Sequence, residues 1–538
     1  MRERIFNGIG IGLLVLCFAI ALFRVVSRTR READPNVTTI RFAHWQLESG
    51  VRDAIEALAD DYEAQWKARG RNVRIEQMPI PERVYPNWMV TQLVGGTAPE
   101  VIQIGIGIND ERTARFFSPL TREVGEPNPY NDGTPLEGLP WRETFVDGLS
   151  SPLSYNQQLL DYFGIPMSMH TIRVFYNKEL YQEIAGDAPP PQTFDELLDL
   201  CRQVREFGET HQRVVIPIVG SQYNAPYLMG DLFKSQTQRL MLAIDQNHLL
   251  RADDNARELG YLRGKWNLDT PAVRSAFELM HEIAGFMQPG YLNASREDAT
   301  FYFVQRRALM VTTGSWDAAS FHSQAPFEIG IFKLPLPSRD HPRFGPNILG
   351  PFSEASVGTG MTFGLNRFAR DSDLALDFLR YLGSFQASQK FTDRSGWLPA
   401  VVGVEPAAKA QPFKPLTDGY PEGFSYTKLN SETARVSDKH MYLLPRPDGA
   451  EAFAAAIKQE YPRAVVQDIW AADRGRLRQI LRNDTTLTGF DALMRLRPTD
   501  TILERKRNEL REAQFGVELG FERSRWTLGE LGHPYQRP

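Results

Sequence analysis

From residue 38 onward, the spacing of apolar residues changes between two patterns, one typical of strands and one typical of helices. Residues 38–45 (TTIRFAHW) and 73–80 (VRIEQMPI) have the short, β-rich pattern of strands bounded by polar residues. The segment between them has apolar residues three and four apart, typical of one face of a helix: Val51, Ile55, Leu58, Tyr62 and Trp66. A second helical stripe ends at Gly95-Gly96, a pair suited to a helix C-terminus. A third apolar strand follows, and this order predicts an α/β layer on a mostly parallel sheet.

The pattern changes after residue 120. Residues 120–156 are rich in Pro, Gly and Asn and predict loops. Thr193 and Glu196 then form a T-x-x-E capping box at the start of an amphipathic helix, and residues 213–220 (RVVIPIVG) predict a strand. Helical spacing dominates residues 228–310 and returns in the last hundred or so residues, which are heavily charged. The chain therefore alternates strands and helices for most of its length and ends in helices.

The N-terminus carries an uncharged apolar run from Ile5 to Phe23. Nineteen residues of helix are about 30 Å long, enough to cross the hydrocarbon core of a bilayer. Residues 1–31 therefore predict an uncleaved signal anchor, a transmembrane helix with a basic flank, and residues 32–37 predict a short linker. The arginines of the flank favour the opposite orientation, with the large domain in the cytoplasm.

Composition limits the class of protein. The 538 residues are 42% hydrophobic and 24% charged, with a formal net charge of −5, which is ordinary for a globular chain with two or more cores. This slight acidity gives no basic surface for nucleic acid. The two cysteines, Cys17 and Cys201, cannot form a disulfide framework or a cysteine zinc site. Aromatic residues reach 11%, and large rings are what a sugar-binding cleft needs.

The motifs of common catalytic sites are missing from the sequence. There is no G-x-S-x-G elbow, no H-E-x-x-H and no P-loop, and the nine histidines lack the spacing of metal ligands. Gly105-Ile106-Gly107 and Gly358-Thr359-Gly360 each resemble part of a dinucleotide-binding turn, but neither completes G-x-G-x-x-G. We therefore expect a protein that is not an enzyme and that needs no cofactor and no metal.

Five segments, in order, resemble the family 1 extracellular solute-binding proteins of ABC importers, the group that includes maltose-binding protein. They are YPNWMVTQLVGGTAPEVIQIG, FGIPMSMHTIRVFYNKEL with PPPQTFDEL, FVQRRALMVTTGSWDA, IGIFKLPLP, and DLALDFLRYLGSFQASQKF with GWLPA. The resemblance covers residues 38–400 and extends more weakly to about 490. This chain has Glu100 where relatives usually have Asp, Phe194 where they have Trp, and Arg306 where Gly is common.

The resemblance implies a type II periplasmic-binding-protein-like fold, with two α/β lobes of mixed sheets flanked by helices. Carried over to this chain, the boundaries are residues 38–165 plus 332–370 for lobe one, and 166–331 plus 371–538 for lobe two with a C-terminal helical extension. Strands near Phe163–Met167 and Glu328–Leu334 would form the hinge. Ligand would be enclosed by a rigid rotation of the lobes about these strands.

In folds of this kind the ligand lies at the carboxyl ends of the strands, and this rule together with the resemblance gives nine candidate contacts. They are Trp45, Gln46, Gln103, Tyr223, Trp316, Asp317, Phe352, Glu354 and Trp397. The Met167–His170 crossing lies beside them. Aromatic rings stack on the C–H faces of a pyranose, and planar polar side chains bind its hydroxyls. For Trp45 packing in the core is an equally good interpretation. A purely structural role is the alternative for five other candidates: Gln103, Tyr223, Phe352, Glu354 and Trp397.

These observations predict the extracytoplasmic substrate-binding component of an ABC importer, tethered to the cell membrane by its N-terminal helix. Its partners would be a mono- or oligosaccharide and the permease subunits, with no nucleic acid. This role places the binding domain in the periplasm or outside the cell, against the arginine bias of the flank. Two alternatives stay open: a membrane-tethered sensory or scaffold protein with the same binding fold, and a polysaccharide-active enzyme.

Overall fold

A computed structural model describes residues 36–105, 108–355 and 358–533 of the chain. The predicted transmembrane run from Ile5 to Phe23, the rest of residues 1–31 and most of the predicted linker lie outside these residues. Within the described ranges, no helix combines the length and the apolar character that crossing a bilayer requires.

The strands and helices follow each other in the order that the sequence pattern predicts. The strands are β1 (Val37–His44), β2 (Asn72–Pro79), β3 (Val101–Gln103), β4 (Tyr155–Asn156), β5 (Asp161–Tyr162), β6 (Ile165–Met169), β7 (Ile172–Asn177), β8 (Ile216–Val219), β9 (Ala308–Gly314), β10 (Ile329–Phe332), β11 (Thr359–Leu365) and β12 (Leu398–Pro399). The helices are α1 (Ser49–Ala68), α2 (Tyr85–Gly95), α3 (Asp110–Phe116), α4 (Thr121–Gly125), α5 (Lys178–Ala185), α6 (Phe194–Thr210), α7 (Ala225–Gln236), α8 (Gln238–Ile244), α9 (Asp254–Leu262), α10 (Pro271–Ala284), α11 (Arg296–Val304), α12 (Ala318–Gln324), α13 (Ser372–Leu382), α14 (Phe385–Ser395), α15 (Glu432–His440), α16 (Gly449–Leu496) and α17 (Thr501–Glu530).

Two mixed sheets organise the chain into two lobes. The first sheet has the order β12-β6-β11-β3-β1-β2, in which β1 is parallel to β2 and β3 while β11 is antiparallel to β3 and β6. The second has the order β10-β7-β9-β8, in which β8 and β9 are parallel and β7 is antiparallel to both of its neighbours. The predicted pair of lobes with mixed sheets and flanking helices is confirmed.

The core of the first lobe lies on both faces of its sheet. On one face the stripe of α1 packs with α13 and α14 against β1 and β11, where the rings of Phe42 and Phe363 lie 4.4 Å apart and Phe378 meets Phe42 edge-on. On the other face α2 and α3 form a smaller core. α2 ends at Gly96, whose φ of 69° is the left-handed conformation that the Gly-Gly pair predicts.

The second lobe buries its sheet between α6, α7, α10 and α16 on one face and α11 and α12 on the other. The predicted capping box starts α6: the Glu196 N–H donates to Thr193 Oγ1, and the Thr193 N–H donates to the Glu196 carboxylate. These two bonds satisfy backbone donors that the first helical turn leaves unpaired. The apolar stripe of α6 can then face the core.

Two of the expected lobe boundaries are wrong. β6 continues to Met169 within the first sheet, so the chain crosses between the lobes at His170–Thr171 and not at Phe163–Met167. The segment that follows residue 371 also returns to lobe one, because α13, α14 and β12 bury their apolar residues against the first sheet. An amphipathic stripe specifies that a helix is covered by a sheet, but not which of two sheets covers it.

A third crossing leads from β12 to a short 3₁₀ turn at Ala408–Phe413, which packs in the second lobe. The first and third crossings are bonded together, because the Thr171 hydroxyl donates to the carbonyl of Phe413 at 2.7 Å. The second crossing follows β10. Within the ranges that the structure describes, the hinge therefore consists of three chain segments.

The predicted C-terminal extension is a long helical hairpin of α16 and α17. The first half of α16 packs in the core of the second lobe through Phe453, Ile457 and Tyr461. The tip of the hairpin reaches the first lobe, where Lys506 donates to Asp161 at 2.6 Å and Arg482 to Gln158 at 3.0 Å. The extension was expected in lobe two alone, and the structure places it against both lobes.

Candidate functional site

The two lobes face each other across a cleft formed by the ends of their strands. From the first lobe, β1 leads into Trp45 and β3 ends at Gln103. From the second, β8 leads towards Tyr223 and β9 into Trp316 and Asp317. The carboxyl ends of parallel strands are where α/β proteins hold their ligands, because loops and unpaired polar groups gather there.

A guanidinium from the start of α11 lies at the centre of the polar groups in this cleft. Arg296 donates to the carboxylate of Asp317, lies 4.8 Å from the centre of the Tyr223 ring, and has Glu82 of the first lobe at 3.8 Å. Burial alone would lower the pKa of Arg296, but Asp317, Tyr223 and Glu82 together outweigh it and raise that pKa. Arg296 therefore stays charged and joins groups from both lobes.

Asp317 is held from two sides. The Thr313 hydroxyl donates to its Oδ2 at 2.6 Å, and Arg296 donates to Oδ1. The carboxylate is buried, so its contacts within the second lobe fix both its own position and that of the guanidinium. The side chain predicted as a ligand contact is thus also the group that orients Arg296.

Glu48 contributes an acceptor that the rest of the site leaves free. Its Oε2 is shielded from solvent and has no hydrogen-bond partner among the described residues. Burial raises the pKa of this carboxyl group, while the charge of Arg296 acts in the opposite direction. Glu48, Arg296 and Asp317 line a cavity of about 460 Å³ together with residues of α11 and α12. An unpaired buried acceptor costs stability, so it needs a donor to satisfy it.

Trp45 is the aromatic residue that the first lobe presents to the cleft. Its ring is partly exposed and meets Tyr85 edge-on at 5.0 Å. The ring lies so close to Gly105 that a Cβ there would fall 2.9 Å from its Cη2 atom. The glycine that resembled part of a dinucleotide-binding turn thus makes room for Trp45.

Gln103 lies against this loop, and Gln46 lies within it. Gln103 is 1% exposed, and its Oε1 accepts the Trp45 N–H at 3.1 Å. The Gln46 N–H donates to Nδ1 of His44 at 3.2 Å, and burial lowers the pKa of His44 to about 4. Both glutamines were predicted to touch the ligand, but in this structure both residues are buried.

Trp316 lies between the lobes. It follows β9 of the second lobe, yet its partly buried ring packs against the core of the first. It meets the imidazole of His170 edge-on at 5.1 Å and folds back over Gly314, where a Cβ would collide with the ring. Burial lowers the pKa of His170 to about 4. Trp316 and His170 therefore form the floor of the cleft at the first crossing.

Three predicted contacts lie away from Arg296. Trp397 is 4% exposed and packs in the core of the first lobe, perpendicular to Phe391, so it does not face the cleft. Glu354 takes two bonds from Arg173, at 2.7 and 3.0 Å, and this guanidinium lowers the pKa of Glu354 against the effect of burial. Phe352 lines a second cavity of about 260 Å³ beside the same ion pair, and His170 of the cleft floor lines it too.

The cleft residues that sequence reasoning missed are Glu48, Glu82 and Arg296. Glu48 lies two positions after Gln46, in the same loop after β1, so the rule that pointed to Gln46 also covers it. Glu82 lies in the turn between β2 and α2, three positions after the strand, so the same rule covers it, whereas Arg296 stands at the start of a helix and does not follow a strand. No local pattern distinguishes Arg296 from the many other charged residues of the chain.

Known proteins match this chain over most of its length. The family model described as bacterial extracellular solute-binding protein matches residues 57–414. A multiple sugar-binding protein of Streptococcus mutans is 24% identical over 424 residues, which are 76% of this chain and 86% of that protein. An uncharacterised ABC transporter extracellular-binding protein of Pyrococcus horikoshii is 20% identical over 404 residues, 71% of this chain and 76% of that protein.

Solved structures agree on the fold. The solute-binding protein RafE in complex with raffinose superposes with a TM-score of 0.53 at 16% identity, covering 80% of this chain and 100% of that one. The GacH receptor of Streptomyces glaucescens gives a TM-score of 0.52 at 14% identity, covering 80% and 98%. At these identities the likeness concerns the arrangement of the two lobes and not the chemistry of the cleft.

Proposed function

Because the chain belongs to the family of bacterial extracellular solute-binding proteins, we propose that it captures a carbohydrate between its lobes for an ABC importer. The permease subunits of that importer would receive the closed, loaded form. The predicted helix at Ile5–Phe23 would hold the chain at the membrane, with the binding domain on the extracytoplasmic side.

One observation carries the choice of a carbohydrate. Three aromatic rings, Trp45, Tyr223 and Trp316, follow strand ends of the two lobes, and the Tyr223 ring lies 4.8 Å from Arg296, whose cavity also holds the unpaired carboxylate oxygen of Glu48. A pyranose offers apolar C–H faces to such rings and hydroxyl donors to such a carboxylate. The sugars named for the multiple sugar-binding protein and for RafE support the same class of ligand.

Closure would act through the contact between Arg296 and Glu82. These side chains belong to different lobes and are 3.8 Å apart, so a rotation of the lobes about the crossings changes the distance between them. A ligand stabilises the closed form only through the contacts that it gains there. On one side of the cleft, a sugar hydroxyl would donate to Glu48 while the sugar ring stacks on Trp45. On the other side, Tyr223 would contact the same sugar.

The proposal is tested by thermal shift of the full chain against monosaccharides, oligosaccharides, peptides and polyamines. A ligand at a hundred times its dissociation constant adds about 2.7 kcal/mol of stability, which is a clear rise in the unfolding midpoint. We expect a rise with at least one sugar and none with peptides or polyamines. A rise with peptides or polyamines alone would refute a carbohydrate ligand.

The same sample separates binding from catalysis. The stabilising sugar is incubated with the chain for hours and then analysed by chromatography. A binding protein returns the sugar unchanged, whereas a polysaccharide-active enzyme returns shorter products. The first result is the one we expect, because the family and its structural neighbours are binding proteins.

A further inference from the structure

The second cavity lies where the crossings meet the second lobe. Its volume is about 260 Å³, and its walls include His170–Arg173 at the first crossing, Asp231 of α7, Lys333 after β10 and the segment Phe352–Glu354. Small-molecule sites in proteins typically measure about 300–1,000 Å³. The cavity is close to the lower end of this range, so its size suits one ring and not a chain of rings.

This cavity and the polar groups around Arg296 both lie at the cleft end of the second sheet. Thr312 lines the cavity, while Thr313, the next residue of β9, donates to Asp317 in the cleft. Neighbouring residues of a strand point to opposite faces of a sheet, so a ligand that reaches both places crosses the end of the sheet. His170 belongs to both places, because it lines the cavity and its imidazole meets Trp316 of the cleft floor edge-on at 5.1 Å.

Some of the charged groups in the cavity wall are already paired. The Arg173 guanidinium gives two bonds to Glu354 and donates its other N–H groups to nearby backbone carbonyls. Glu422, which also lines the cavity, accepts from Lys234 at 2.8 Å. These pairs fix the shape of the wall, and Arg173 has no N–H group left for a ligand.

Three other polar groups of the wall lack good partners. Thr312 is 1% exposed, and its hydroxyl has no hydrogen-bond partner among the described residues. No described residue donates a hydrogen bond to the Asp231 carboxylate, and burial raises the pKa of this group to about 6. The Lys333 ammonium has only long contacts, 3.4 Å to the carbonyl of Phe352 and 3.5 Å to Glu354. Buried polar groups without partners cost stability, so an occupant that bonds them is favoured.

The charges around the cavity favour a neutral occupant. A cation beside Asp231 would also meet Arg173 and Lys333, whereas an anion beside Lys333 would also meet Asp231 and Glu354. A hydroxyl group both donates and accepts, so several hydroxyls on one ring can satisfy the carboxylate, the ammonium and the threonine hydroxyl together. A sugar ring has this chemistry.

We infer that the cavity beside Asp231 holds a second ring of the carbohydrate that the cleft captures, so that the ligand is an oligosaccharide and not a monosaccharide. This inference rests on the proposed function, because it assigns a longer ligand of the same class to the same cleft. One end of the oligosaccharide lies beside Arg296 and Glu48. The other end passes His170 and Trp316, and its hydroxyls donate to the Asp231 carboxylate.

Ligand length is tested by titrating the full chain with matched sugar series. The series are glucose, maltose and maltotriose; xylose, xylobiose and xylotriose; and N-acetylglucosamine with its dimer and trimer. We expect affinity to rise about tenfold or more from the monosaccharide to a longer member of at least one series. Monosaccharides that bind as tightly as their longer relatives would overturn the inference and leave the proposed function standing. Absence of binding by every sugar would contradict the proposed function, and the inference with it.

Asp231→Asn tests the cavity itself, with the longer sugar that binds most tightly and the monosaccharide of its series as probes. The variant replaces an acceptor oxygen with an amide donor and is expected to weaken the longer sugar about tenfold, with no change for the monosaccharide. Asp199→Asn is the matched control, because Asp199 is exposed on α6, where it pairs with Arg202. Unchanged affinity for the longer sugar in Asp231→Asn, or an equal loss for both sugars, would overturn the inference.

Thr312→Val gives a second variant that removes only the unpaired hydroxyl. It is expected to weaken the longer sugar several-fold and to spare the monosaccharide, in the same direction as Asp231→Asn. The thermal midpoints of both unliganded variants at pH 7 should not fall, because one loses a charge that burial disfavours and the other loses an unpaired buried hydroxyl. Thr312→Val that is folded and binds the longer sugar like the wild type would contradict the placement of a ring in this cavity.

Discussion

Lys506 of α17 donates to the carboxylate of Asp161 at 2.6 Å, across the space between the C-terminal hairpin and the first lobe. The other end of the hairpin is buried in the second lobe. The hairpin is thus fixed by apolar packing on one lobe and by polar bonds on the other.

Removal of this ion pair should loosen the tip of the hairpin without unfolding the protein. Lys506→Met keeps the stem of the side chain and loses its charge, so amide hydrogen exchange should become faster in residues 155–162. The thermal midpoint should also fall, because Asp161 is 7% exposed and loses the charged partner that offsets its burial. Lys458→Met is the matched control, since Lys458 pairs with Asp269 within the second lobe. Unchanged exchange in residues 155–162 contradicts this role.

Stability should fall as the pH decreases from 6.5 to 4. Burial lowers the pKa of His44 and of His170 to about 4, below the value of about 6.5 expected when unfolded. Above pH 6.5 both histidines are neutral in the folded and in the unfolded chain, so the full free energy of unfolding is present. Below pH 6.5 the histidines become protonated in the unfolded chain but stay neutral in the folded chain. The free energy of unfolding therefore decreases until the pH falls below the folded pKa.

The loss should be on the order of 3 kcal/mol for each histidine. Urea unfolding at pH 7 and pH 4.5 measures it, and His170→Gln should retain more of its stability at the lower pH than the wild type does. His211 lies on the surface, so His211→Gln serves as the control. If His170→Gln and the wild type lose stability equally, His170 is not responsible for the acid sensitivity.

Glu48→Gln should separate stability from binding. Burial raises the pKa of Glu48, so stability is complete below the unfolded pKa and decreases as the pH rises through the folded one. Replacing the acid with a neutral amide should therefore raise the thermal midpoint at pH 7. The same change should weaken sugar binding about tenfold, because a strong acceptor is lost. A variant that is more stable and binds equally well would show that Glu48 does not contact the ligand.

The aromatic rings of the cleft should matter more than rings elsewhere. Trp45→Ala and Tyr223→Ala should each weaken binding at least about tenfold by removing a stacking surface. Tyr223→Phe keeps the ring and should lose less. Trp66→Ala is the control, because Trp66 lies near the C-terminal end of α1 and packs against arginines there. Fluorescence titration with the sugar compares all four variants.

Much of the fold follows from local pattern. The stripe on α1, the glycine pair after α2 and the capping box of α6 each specify an element by chemistry within a few residues. The lobe to which α13 and α14 belong does not follow, because their apolar stripes would fit either sheet. That choice depends on contacts with β1 and β11, more than two hundred positions away for β1.

The site was predicted less completely than the fold. Trp45, Tyr223, Trp316 and Asp317 follow strand ends, and the structure places all four at the cleft. The prediction for Trp397 was wrong because a tryptophan in a loop has the same local sequence pattern whether it faces a ligand or a core. Arg296 was missed because its role arises from Asp317 and Glu82, which are distant in sequence and meet it only in the folded chain.

The most direct test of capture between the lobes is calorimetric titration with the sugar that gives the largest thermal shift. The full chain and the double variant Trp45→Ala/Tyr223→Ala, which lacks one ring from each lobe, are titrated side by side. We predict one sugar bound per chain and an affinity loss of about a hundredfold or more in the double variant. Equal affinity of the two proteins, or no heat with any sugar, would contradict the account.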